Sequence, residues 1–129
     1  MSMPLIYIAG PFRGPTPLDV RRNVEAARDL GLRVAHAGGY PVIPHTMTAE
    51  FDKQLTDEFW LDGTMALLKK CDAMVLTNNW EQSSGARAEQ VWATENRMPW
   101  WVDGVVDTFY SLDRFIGEIR YYRIGAGLS

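Results

Sequence analysis

Short apolar runs alternate along this chain with longer stretches whose apolar residues recur every three or four positions. Pro4-Leu5-Ile6-Tyr7-Ile8-Ala9 is a continuous apolar run and reads as a central, buried strand. Gly10-Pro11-Phe12-Arg13-Gly14-Pro15 then breaks the chain. Thr16-Pro17-Leu18-Asp19 opens a helix: Thr caps it, Pro takes the first helical position, and Asp stands three residues after the cap. Val20, Val24, Ala27, Gly31 and Val34 follow at alternating spacings of four and three, one stripe on a helix that Gly38-Gly39 ends. Tyr40-Pro41-Val42-Ile43-Pro44 reads as a second strand, and residues 45 to 55, lacking any period, as a loop.

Thr56-Asp57-Glu58 starts a second helix, with acids in its first turn and Lys69-Lys70 at its end, as its dipole favours. Asp72 to Thr77 is a third strand, about Ser84 to Asn96 a third helix, and Met98 to Val102 a fourth strand. The tail from Val105 to Tyr122 is ambiguous, although Ser111 is placed to cap a last helix carrying Phe115, Ile116 and Ile119. Alternation of strands and helices predicts one α/β domain over residues 1–129, a three-layer flavodoxin-like or Rossmann-like sandwich with a mainly parallel sheet of four to five strands. Its pocket should lie at the carboxyl ends of strands one and three, which brings Gly10–Gly14 and Trp80–Gly85 to one rim.

Composition narrows the partners. The 129 residues suit one domain, and 47% hydrophobic with 22% charged residues is ordinary for a soluble protein. A net charge of −3 gives no general attraction to a nucleic acid polymer, so any nucleic-acid-related ligand is a small nucleotide. The single cysteine, Cys71, excludes an intrachain disulfide and fits a reducing, cytoplasmic compartment. Neither a signal peptide nor an apolar run of membrane-spanning length is read from the sequence.

The segment Trp80-Glu81-Gln82-Ser83-Ser84-Gly85-Ala86-Arg87-Ala88-Glu89 carries the most chemistry. Small residues and hydroxyls stand where a strand hands over to a helix, and free N–H groups at a helix start attract anions. Glu89 follows within the first turns and is a candidate nucleophile, or else a surface glutamate. In the first loop, Arg13 is suited to bind phosphate bidentately, or is a solvated arginine on a tight turn. No dinucleotide fingerprint, Walker pattern or serine-hydrolase elbow is present. His36 and His45 lack ligand-spaced companions, so no metal site is expected; His45 either reaches the rim or is structural. Tyr7 and Trp80 are candidates to stack on a base or sugar, with core packing as the alternative. Asp57 reads as a solvated helix acid, whereas Asp62, one turn after Glu58, is placed to face the sheet.

Taken in order, Tyr7-Ile8-Ala9-Gly10-Pro11, Cys71-Asp72-Ala73-Met74-Val75-Leu76 and Ser83-Ser84-Gly85-Ala86-Arg87-Ala88-Glu89 resemble the nucleoside 2-deoxyribosyltransferase superfamily, over roughly residues 5–102. The resemblance implies cleavage of the N-glycosidic bond of a 2'-deoxynucleoside or its 5'-monophosphate through a covalent glutamyl-deoxyribose intermediate. By that likeness Glu89 is the nucleophile and Tyr7 orients it. Gly10-Pro11-Phe12-Arg13-Gly14 resembles the phosphate loop of the 2'-deoxynucleoside 5'-phosphate N-hydrolases. Ser83 resembles their phosphate-contacting serine, with Ser84 and Gly85 beside it and His45 near a histidine of those enzymes. The family also implies homo-oligomers with sites shared across the interface, and no cofactor. One departure stands out: the usual helix-two aspartate, which orients or protonates the leaving base, is Thr64 here, and Asp62, the nearest acid, is the provisional general acid in its place. The alternative is therefore a catalytically inactive nucleotide-binding module of the same fold.

Overall fold

The computed structural model describes residues 3–47, 52–105 and 110–125. Strand β1 (Leu5–Ala9) leads to helix α1 (Pro17–Ala37) and strand β2 (Tyr40–Val42). The short helix α2 (Pro44–Met47) and a single 3-10 turn (Asp52–Gln54) precede helix α3 (Asp57–Leu68). Strand β3 (Ala73–Leu76), a second 3-10 turn (Trp80–Gln82), helix α4 (Ser84–Glu95) and strand β4 (Trp100–Val102) follow. Helix α5 (Leu112–Glu118) runs on into a π-helical segment (Ile119–Gly125).

The four strands form one all-parallel sheet in the order β2-β1-β3-β4. Alternation along the strands separates two cores. Ile6 and Ile8 of β1, with Ala73 and Val75 of β3, pack against α1 and α5 through Leu30, Val34, Phe115 and Ile116. Tyr7 and Ala9, with Met74 and Leu76, face α3 and α4 through Leu68, Ala86 and Ala93. The result is the three-layer, flavodoxin-like arrangement expected from the alternating pattern. The strand order reverses between β1 and β3, which makes the carboxyl ends of these two strands the switch point.

The helix starts follow from their capping residues. Thr16 and Asp19 form a reciprocal capping box with Pro17 in the first turn, and Thr56, Ser83 and Ser111 each accept from the N–H three residues on. At the amino end of the sheet the Asp72 carboxylate accepts from Leu5 N–H at 2.7 Å, while Asp72 N–H donates to the Leu5 carbonyl at 2.8 Å. Cys71 is buried, and burial pushes its thiol up to about 11, which leaves it an inert packing group.

Two expectations are corrected. The second strand ends at Val42, not Pro44, and part of the expected loop at 45–55 is helical. Pro44 opens α2 because its fixed φ suits a first helical position, and a helix of 4 residues is too short to show a period. The rest of that loop, residues 48–51, and residues 106–109 of the tail lie outside the described residues.

Candidate active site

The switch point holds a pocket of about 340 Å³. Its floor is built by Tyr7 from β1, Thr64 from α3 and Glu89 from α4. Its mouth is framed by the loop Gly10–Arg13 on one side and by Gln82–Gly85 on the other.

Glu89 is buried because of its place on α4. Ala86, Glu89 and Ala93 are spaced three and four apart, so they form one inward stripe, and the carboxylate stands in the row of small core residues. The buried Tyr7 hydroxyl donates to Glu89 Oε2. Burial raises the Glu89 carboxyl to about 7, against the opposing pull of hydroxyl donors from Tyr7 and Thr64. Burial and the adjacent carboxylate push the Tyr7 phenol far above its ordinary range, so it keeps its proton and acts as a fixed donor. Thr64 has a single hydroxyl proton, which serves either the Leu61 carbonyl at 3.1 Å or the Glu89 carboxylate beside it.

The expected role of Asp62 is corrected. Its side chain is exposed and does not line the pocket. Trp60, Thr64 and Leu68 recur every four residues as the inward stripe of α3, and a residue two places from Thr64 is turned about 200° away from it. Thr64, not Asp62, therefore meets Glu89. That period of four was the available sequence signal; Thr64 was singled out only as the site of a missing acid.

The first loop is held from below. His45 Nε2 lies 3.0 Å from the Gly10 carbonyl and 3.1 Å from the Pro11 carbonyl, so it carries the proton and donates to them. Burial lowers the His45 pKa and keeps the ring neutral. His45 thus lines the pocket and also shapes the loop, joining the two readings offered for it. Asn23 Nδ2 reaches the Phe12 and Arg13 carbonyls at 3.3 and 3.2 Å. Gly10 has no room for a side chain, since a Cβ there would lie 2.4 Å from Thr77 Oγ1. With these carbonyls engaged, the loop offers an anion less repulsion from its own dipoles.

Arg13 lines the mouth and pairs with Asp57 at 2.5 Å. Both side chains are exposed, so the pair adds little stability, but Arg13 holds the Asp57 carboxyl below its ordinary range and therefore ionised. Asp57 is exposed in the first turn of α3, as its reading as a solvated helix acid expects, and it also lines the pocket mouth and is tied to the loop. Across the mouth, Ser83 Oγ accepts from Ala86 N–H and retains its own proton to donate. Ser84 and Gly85 N–H, at the first positions of α4, have no partner among the described residues, and both residues line the pocket. Arginine, hydroxyl and open helix N–H groups are the donor types that suit a compact anion.

Two further expectations change. Trp80 does not line the pocket; its half-buried ring packs against the core on the α3–α4 side of the sheet. Gly14 borders a neighbouring shallow cavity with Thr16 and Pro17 rather than the pocket itself. Trp60 and Leu61 supply the apolar wall instead.

Fold and site together define a doubly wound α/β protein with a buried carboxylate and a rim of arginine, hydroxyl and helix N–H groups at its switch point. The chain belongs to the DUF7768 family, a domain of unknown function, whose model matches residues 4–102. That span runs from β1 through β4 and contains every pocket residue described above. A comparison with curated proteins finds no match. Among the described residues no helix is long and apolar enough to cross a membrane.

Proposed function

We propose that this protein is an N-glycosidase or 2-deoxyribosyltransferase that cleaves 2'-deoxynucleoside 5'-monophosphates, or the nucleosides, through a covalent glutamyl-deoxyribose intermediate on Glu89. One observation carries the reading: a single carboxylate is buried at the pocket floor under a fixed hydroxyl donor, and an anion site of Arg13, Ser83, Ser84 and Gly85 faces it at the mouth. A nucleotide spans such a pocket with its 5'-phosphate at the rim and its anomeric carbon over Glu89. The carboxylate stabilises the oxocarbenium-like transition state and then traps it, and water or a second base releases the sugar. Tyr7 holds one carboxylate oxygen so that the other attacks. The nucleotide is a small molecule bound without a cofactor, in a cytoplasmic protein with reduced Cys71. Exposed Leu61 at the pocket wall and exposed Phe59 two residues before it fit a homo-oligomer whose interface runs beside the site.

A second reading is a nucleotide-binding module without turnover. It is favoured by Thr64, which puts an alcohol beside Glu89 and no second carboxylate. Incubation with a panel of 2'-deoxynucleoside 5'-monophosphates, followed by chromatography for free base, separates the two. Base release that vanishes in Glu89→Ala supports the glycosidase. Nucleotides that raise thermal stability with no base released support the binding module.

A further inference from the structure

Breaking a glycosidic C–N bond leaves an electron pair on the departing nitrogen. For a purine, that nitrogen leaves readily only when the ring is protonated as it departs or already carries a positive charge. The described residues that line the pocket hold no group free to supply the proton. Glu89 is the nucleophile and the Tyr7 proton lies on it. Asp57 is exposed and bound to Arg13. The His45 Nε2 proton lies on the Gly10 and Pro11 carbonyls. Thr64 and Ser83 are alcohols, far too weakly acidic for the task.

The walls point the same way. Trp60 stands one helical turn before Thr64 on the inward stripe of α3 and lines the pocket, so it forms the wall between the Thr64–Glu89 floor and Asp57 at the mouth, where a base would sit. Indole is the strongest of the aromatic faces for a cation. The charged lining also favours a cation there: the Glu89 carboxylate stands at the floor, while Arg13 lies at the mouth with its charge offset by Asp57.

We propose that the site takes 2'-deoxynucleotides whose base is already cationic, with N7-alkylated purines as the class. This rests on the glycosidase reading of Glu89. A Glu89 oxygen attacks the anomeric carbon and forms the ester bond. The C1'–N9 bond breaks, its electron pair cancels the ring charge, and a neutral 7-alkylpurine leaves with no proton transferred. Water then hydrolyses the ester, giving 2-deoxyribose 5-phosphate, a free carboxylate and one proton.

The test compares kcat/KM for 7-methyl-2'-deoxyguanosine 5'-monophosphate and for 2'-deoxyguanosine 5'-monophosphate, each divided by its own uncatalysed rate, in the native protein and in Trp60→Leu. That division removes the intrinsic lability of the alkylated substrate. The native protein should favour the cationic substrate by at least about 10-fold, and Trp60→Leu should lower that ratio, as expected for loss of a cation–π contact. Should Trp60→Leu fold poorly, binding of the two nucleotides to the turnover-deficient Glu89→Gln protein replaces it, with tighter binding of the methylated one expected. Equal or greater preference for the neutral nucleotide overturns the inference and leaves the glycosidase standing. Hydrolysis of neither overturns both.

Discussion

Replacing Glu89 by Gln should stabilise the protein in a strongly pH-dependent way. Glutamine keeps the volume and still accepts from Tyr7, but it carries no charge into the buried floor. The native carboxyl titrates near 7 when folded, against 4.5 as its ordinary value, because burial disfavours the ion. Between those values the folded state binds more protons than the unfolded one, so the native protein loses stability as pH rises through the window. Below 4.5 the group is protonated in both states and costs nothing. Above about 7 the full penalty applies, worth about 3 kcal/mol for this displacement. Glu89→Gln escapes that penalty. Its advantage over the native protein should grow from near zero at pH 4 to about 3 kcal/mol at pH 8, or roughly 10 °C in melting temperature for a chain of this length. Urea titrations of both proteins at several pH values measure the difference and cancel the other titrating groups. A difference that stays constant from pH 4 to pH 8 would refute the buried-carboxylate account. The same substitution should abolish base release, because an amide cannot trap the sugar.

Tyr7→Phe removes the donor to Glu89, and since that donor pulls the carboxyl down, the acid limb of the pH–rate profile should move to higher pH; a limb left in place would separate Tyr7 from the nucleophile. Gly10→Ala forces a methyl onto Thr77 and should cost about 1–3 kcal/mol in denaturant unfolding, with partial recovery in a Gly10→Ala/Thr77→Ala double mutant that confirms the contact. Arg13→Ala should leave the melting temperature nearly unchanged, because its pair with Asp57 is exposed, yet raise KM for 5'-monophosphates far more than for nucleosides. Equal effects on both substrates would remove Arg13 from the phosphate site.

The strands, the long helices and their caps were legible because they are local. Apolar runs, the Thr16–Asp19 box and the stripe through Ala27, Gly31 and Val34 each act over one or two turns, and the structure keeps them. The short helix at Pro44 and the 3-10 turns were not, since a single turn leaves no repeat to detect. At the site, Glu89 and the two rim loops were legible from their position after strands one and three, and Tyr7 from the family resemblance. Asp62 and Trp80 were misread for one reason: which way a side chain faces depends on the element opposite it. The stripe of α3 is decided by the burial of Leu68 in the core shared with Tyr7 and Met74, and that stripe selects Trp60 and Thr64 over Asp62.

From the order of its residues alone, this chain was bound to form a parallel α/β sheet with loops gathered at the carboxyl ends of β1 and β3. Backbone propensity, capping and hydrophobic period suffice for that, and all act within short stretches. The protonation behaviour of Glu89, the partners of His45, the Arg13–Asp57 pair and the identity of the residue beside the carboxylate arose only on packing. Each depends on groups more than twenty residues apart being brought together and shielded from water, and a charge feels its neighbours strongly only where water has been excluded.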